Sequence, residues 1–132
     1  MPIRLNSGRQ DLAVAYVDVK AGDLVSGVAG KAIELPPGAV IVGGDIVVKT
    51  AFNSATTATL KLGDKLDDDR YTAAAVDLKT AGRTALTLTG YKHNVSEHLQ
   101  ALFAETGAAA TQGLARVAVS YYVEGRSAYS QG

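Results

Sequence analysis

The 132-residue sequence contains no cysteine, no tryptophan, two histidines, two phenylalanines and three prolines. Without cysteine there is no disulfide, no thiol nucleophile and no thiolate zinc site. The two histidines, His93 and His98, miss the i, i+4 spacing that would place a metal pair on one helix face, so each is expected as a single exposed side chain. An excess of charge is missing as well: 13 basic and 13 acidic side chains balance. The chain therefore has no overall field with which to hold nucleic acid or an acidic membrane, and neither is expected as a direct partner. The opening residues MPIRLNSGRQ carry no apolar segment of the secretory type, so synthesis in the cytoplasm of the producing cell is expected.

Long hydrophobic runs are also scarce. The most apolar stretch, within LPPGAVIVGGDIVVKTAFN (Leu35 to Asn53), holds about half of the roughly 20 residues a membrane helix needs, and Gly43, Gly44 and Asp45 interrupt it. Nor does SGVAGKA supply a phosphate loop. Val25 stands where the first glycine of that loop belongs and Ala32 where its magnesium-binding hydroxyl belongs, which leaves a glycine-rich turn.

What is present is the alternation of half-buried strands. Ala58, Leu60 and Leu62 alternate with Thr57, Thr59 and Lys61; Leu86 and Leu88 alternate with threonines; Val117, Val119, Tyr121 and Val123 alternate with Arg116, Ala118, Ser120 and Tyr122. LAVAYVDVK and KAIEL form an early pair of strands. Pro36 and Pro37 mark a strand entry, since neither can donate to a central ladder. The glycine pair then predicts a bulge, a bend or a switch between sheets in a long strand from Val40 to Ala51. Helix has two candidates, YTAAAVDLKTAG and NVSEHLQALF, and the alternation of Leu99, Ala101 and Phe103 favours a strand in the second. The expected fold is all-β, an antiparallel β-sandwich of jelly-roll type with little helix. It is divided into an N-terminal arm (1–11), a sandwich domain (12–125) and a C-terminal tail (126–132).

Chemistry-bearing motifs are few. Asp64, Asp67, Asp68 and Asp69 in GDKLDDDR gather four carboxylates, the ligand type calcium prefers, but the spacing is not that of an EF-hand and a solvated acidic turn is the expectation, with Arg70 available to pair with one of them. No nucleophile elbow is present, and no catalytic residue or cofactor is expected. The sequon at Asn94 carries no weight without a secretory signal.

Three stretches carry a resemblance: AIELPPGAVIVGGDIVVKTAFNSATTATLKLGD, DDDRYTAAAVDLKTAGRTAL and ARVAVSYYVEGRS. Together they span roughly Ile33 to Arg126, and they resemble the head decoration, or cement, proteins of tailed bacteriophages. The resemblance implies a small, non-enzymatic β-sandwich on the exterior of the virion, bound to the major capsid protein and bridging neighbouring capsomers. For such a role the candidate contact residues are Arg4, Leu5 and Arg9 in the N-terminal arm and Tyr122, Arg126 and Tyr129 near the C-terminus, because tyrosine and arginine are enriched at interface hot spots. Tyr121 shares the core face of its strand and is assigned to packing. Self-association is also expected, a homodimer ahead of a homotrimer, since two-fold contacts are the commonest closed arrangement. The alternative from another class is a phage tail or receptor-binding β-sandwich component, or a carbohydrate-binding module. Scarce aromatic side chains disfavour the module, because sugars stack on exposed rings.

Overall fold

The computed structural model describes residues 12–124. Nine strands form two antiparallel sheets: β1 (Ala13–Lys20), β2 (Ala29–Leu35), β3 (Ala39–Thr50), β4 (Thr57–Gly63), β5 (Val76–Asp77), β6 (Gly82–Ala85), β7 (Lys92–His93), β8 (Glu97–Thr106) and β9 (Leu114–Val123). One sheet runs β1-β9-β3-β6, with β7 also pairing β3; the other runs β2-β8-β4-β5. The chain passes back and forth between the two sheets, and β8 and β9 insert beside strands formed much earlier. This is the double Greek key of a jelly roll.

The alternating residues identified in the sequence fill the space between the sheets. Leu35, Ala58, Leu60, Leu62, Leu99, Val117 and Val119 are all buried there, joined by Phe52, Tyr71 and Leu78 from the connections. Phe52 packs against Phe103 with ring centroids 5.8 Å apart. Such burial, at about 1.5–3 kcal/mol for each large apolar side chain, is the main favourable term for a fold with no cross-links.

The glycine pair resolves into a bulge within one sheet. Strand β3 stays paired with β9 along its whole length, so it does not switch sheets, but the register slips between Ile41 and Gly43. Before the slip Ala39 and Ile41 face the core; after it Ile46 and Val48 do. One extra residue thus exchanges odd for even positions, allowing a continuous apolar run to keep its core face. Gly44 is the constrained member: its φ is +150°, and a Cβ there would lie 2.4 Å from the Ala118 carbonyl oxygen. A Cβ at Gly43 would meet nothing closer than 3.7 Å.

Three expectations are corrected. β1 and β2 do not pair; each lies in a different sheet, β1 against β9 and β2 against β8. YTAAAVDLKTAG forms no helix, because its buried residues Tyr71, Val76 and Leu78 are drawn into the core from an irregular connection that pairs only at β5. The strand at RTALTLTG ends at Ala85, so Leu86 is buried while Leu88 is exposed. The other helix candidate, NVSEHLQALF, contributes the start of β8, the strand that its alternation favoured.

Candidate interaction surface and the clamp behind it

One end of the sandwich is fastened by a polar network. Strand β4 ends at Gly63, where a Cβ would lie 2.1 Å from the Asp67 carbonyl oxygen, so only glycine lets the following loop fold back this closely. Asp64 then caps the loop: Oδ1 accepts the N–H groups of Leu66 and Asp67, each at 3.0 Å. Arg70 Nε donates to Asp64 Oδ2 at 2.5 Å, and its guanidinium lies 3.7 Å from the centre of the Tyr91 ring. The Tyr91 ring meets His93 edge-on at 4.9 Å. His93 in turn is held between Tyr71, whose hydroxyl lies 2.7 Å from Nε2, and Glu97, hydrogen-bonded to Nδ1. The Glu97 carboxylate accepts from Nδ1–H, leaving Nε2 to accept the Tyr71 hydroxyl proton.

Two expectations change here. Asp64 is not part of a solvated turn, being 1% exposed, and His93 is not an exposed histidine but has no accessible surface. Burial pushes the Asp64 carboxyl up, but the Arg70 hydrogen bond and the two backbone N–H donors outweigh it and hold the group below the usual carboxylate value. Burial, followed by the charge of Asp64, raises the Tyr71 phenol well above its ordinary value.

Asp64, His93 and Glu97 bring ligand-type atoms within 4.8 Å of one another. The donor set nevertheless does not fit a cation. Both histidine nitrogens and both Asp64 oxygens already have hydrogen-bond partners, and the Arg70 charge sits where an ion would have to compete. The other candidate acidic residues, Asp67, Asp68 and Asp69, cluster at the same exposed turn. There the hydrogen bond with Asp67 and the neighbouring negative charges raise the Asp69 carboxyl.

The outer face of the larger sheet is of a different kind. Val14 and Tyr16 of β1, with Leu12 just before it, point outward and are 67%, 60% and 61% exposed, whereas Ala13, Ala15 and Val17 on the alternate positions are half-buried and Val19 is buried. Opposite them on β9 stand small residues, Ser120 against Val14 and Ala118 against Tyr16, and Gly43 of β3 continues the row beyond Ser120. The result is a low shelf beside an apolar ridge. Ion pairs flank it: Arg116 binds Asp18 through Nε at 2.8 Å and Nη2 at 3.1 Å while its guanidinium lies 4.3 Å from the Tyr16 ring centre, and Arg83 pairs with Asp45 at 2.6 Å. The hydrogen bond from Arg116 lowers the Asp18 carboxyl.

Of the six contact residues read from the sequence, Tyr122 lies half-buried on β9, and Arg4, Leu5, Arg9, Arg126 and Tyr129 lie outside the described residues. The ridge at Leu12, Val14 and Tyr16 was missed. Its signal was available: in LAVAYVDVK the bulkier residues occupy the opposite phase from the alanines, so one face of this strand had to be large and the other small. The two segments outside the description attach at one corner, since Ala13 pairs with Tyr121 at the start of β1 and the end of β9.

No family model matches this chain, and no curated protein matches it. Solved structures do. A chain of the cyanophage Pam1 capsid asymmetric unit superposes with a TM-score of 0.68 and 25% identity over 93% of this chain and 91% of that one. A chain of the acidic stable capsid of Helicobacter pylori bacteriophage KHP30 gives 0.63 at 14% identity over 84% and 86%, and one from the capsid of Ralstonia phage GP4 gives 0.60 at 18% over 96% and 93%. The latter two show the fold alone. With the double Greek key and the sequence stretches above, these likenesses make the chain one that resembles proteins of phage capsids.

Proposed function

We propose that this chain is a structural decoration, or cement, protein of a tailed-phage head, bound to the outside of the major capsid protein shell and bridging neighbouring capsomers. The observation that carries the reading is the Pam1 capsid likeness, which extends over more than nine-tenths of both chains. The site chemistry is compatible. In the histidine-centred network the imidazole is buried and both its nitrogens are hydrogen-bonded within the fold, and the accessible features among the described residues include a shelf, a ridge and flanking ion pairs. In this reading the sandwich of residues 12–125 is the body, and segments 1–11 and 126–132 are arms that supply Arg4, Leu5, Arg9, Arg126 and Tyr129 to the shell, with Tyr122 at their root. Many weak contacts repeated over a lattice reach high avidity because each further contact is nearly intramolecular.

Co-sedimentation with empty capsids of the parent phage tests this. Saturable binding at fixed stoichiometry is expected, together with protection from proteolysis at Arg4, Arg9 and Arg126. No binding to capsids, or binding to host polysaccharide in its place, would overturn the reading in favour of a tail or carbohydrate-binding role.

A further inference from the structure

Strand β1 is an edge without the usual guards. Its register with β9 is unbroken from Ala13 opposite Tyr121 to Lys20 opposite Leu114, and among the described residues no other strand pairs with it. Among those residues, backbone hydrogen bonds beyond that ladder begin only at Lys20 and Ala21. Sheets normally blunt such edges with bulges, charges, proline or brevity. The other edges do so: β2 is bulged between Lys31 and Ile33 and carries Lys31 and Glu34; β5 and β7 have two residues each; β6 has four, with Arg83 among them. β1 has eight residues and no proline. Its charges come late, at Asp18, already paired with Arg116, and at Lys20.

We infer that β1 is a contact between two copies of this chain, paired antiparallel across a two-fold axis so that two larger sheets become one. Strand pairing between identical chains needs an edge on each, and β1 is the one described edge long and regular enough to serve, which makes the contact isologous. Residues opposite each other in an antiparallel pair share a face, so the axis must pass through a residue and not between two. With Ala15 on the axis, Val14 meets the partner's Tyr16 and Leu12 meets the partner's Asp18. With Tyr16 on the axis, Val14 meets the partner's Asp18 and Leu12 the partner's Lys20. Neither register sets like charges against each other, and both merge the two apolar ridges into one. The ridge exposes a few hundred Å², short of the roughly 800 Å² per partner of a standard interface. The pairing is accordingly weak in dilute solution and strengthened where copies are held side by side.

Sedimentation velocity of the free protein, up to about 1 mM, is the test. The wild type is expected to shift from monomer towards dimer with concentration. Val14→Asp places a carboxylate at an exposed ridge position that faces the partner's Asp18 directly in one register and diagonally in the other; it is expected to stay monomeric with a little-changed melting temperature. Because the chain has no cysteine, Val14→Cys and Tyr16→Cys can each be probed with a short bismaleimide, and cross-linked dimer is expected from these two and not from Lys49→Cys on β3. A wild type that stays monomeric throughout, a trimer, a dimer that Val14→Asp leaves intact, or cross-linking at Lys49→Cys equal to that on β1 would each overturn the inference. Capsid binding is scored separately. A monomeric wild type that binds capsids sinks the β1 pairing alone, and a dimer that ignores capsids sinks the proposed function alone.

Discussion

The hydroxyl of Tyr71 and Nε2 of His93 lie 2.7 Å apart in an interior where His93 has no exposed surface, and together they tie the connection after β4 to the short strand β7. Tyr71→Phe keeps the ring and deletes the bond, leaving a buried imidazole nitrogen without its partner. A loss of about 1–3 kcal/mol is expected, read as a lowered urea midpoint at unchanged slope. A midpoint equal to wild type would show that the bond contributes nothing.

Asp64 gives the acid limb of stability. Its carboxyl is held below the ordinary 3.8 in the folded chain, so the stabilisation is fully present above that value and is lost as pH falls through the depressed folded value. Asp64→Asn should destabilise at neutral pH by about 3 kcal/mol, the low end for breaking a buried pair because Arg70 retains some solvent. It should also flatten the fall in melting temperature below pH 3.8. Parallel wild-type and variant acid profiles would refute this. Tyr71 acts at the other limit: its raised phenol pKa means stability is lost as pH rises above 10.

The two adjacent glycines are expected to separate cleanly. Gly44→Ala forces a Cβ to 2.4 Å from the Ala118 carbonyl at a φ that disfavours side chains, and should cost upwards of about 2 kcal/mol. Gly43→Ala finds 3.7 Å of room and should change stability by less than about 1 kcal/mol. Chemical denaturation of the two single variants settles it, and equal losses would place the constraint elsewhere.

Leu86 and Leu88 make a similar contrast within one short segment. Leu86→Ala should cost about 2–5 kcal/mol because Leu86 is in the core, and Leu88→Ala less than about 1 kcal/mol because Leu88 is already 48% exposed. Thermal melts of both variants would expose any error in that division.

What could be read from the residues was local. Period-two alternation is a property of a strand by itself, so the core faces of β4, β8 and β9 were legible at Leu60, Leu99 and Val117, as was the need for an irregularity at Gly43 and Gly44. Pairing was not legible, because β1 and β2 find partners at β9 and β8 far along the chain. His93 shows the same limit for polar groups. Its spacing from His98 pointed to an exposed side chain, while its burial depends on Tyr71, 22 residues earlier. Asp64 looked like its exposed neighbours because four carboxylates within six residues give no sign of which one Arg70 will claim.

The position of the outer ends of β1 and β9 sets how the fold meets force. Ala13 and Tyr121 are paired neighbours at one corner, so tension between the ends of β1 and β9 opens their ladder one rung at a time and does not shear it as a block. β1 is held on one side only, whereas β9 lies between β1 and β3. Under pull from both termini β1 should therefore peel first, leaving β9 anchored by β3, and single-molecule extension would record that release as an early, low-force step. A tether through the C-terminal segment would then survive loads that detach the N-terminal one.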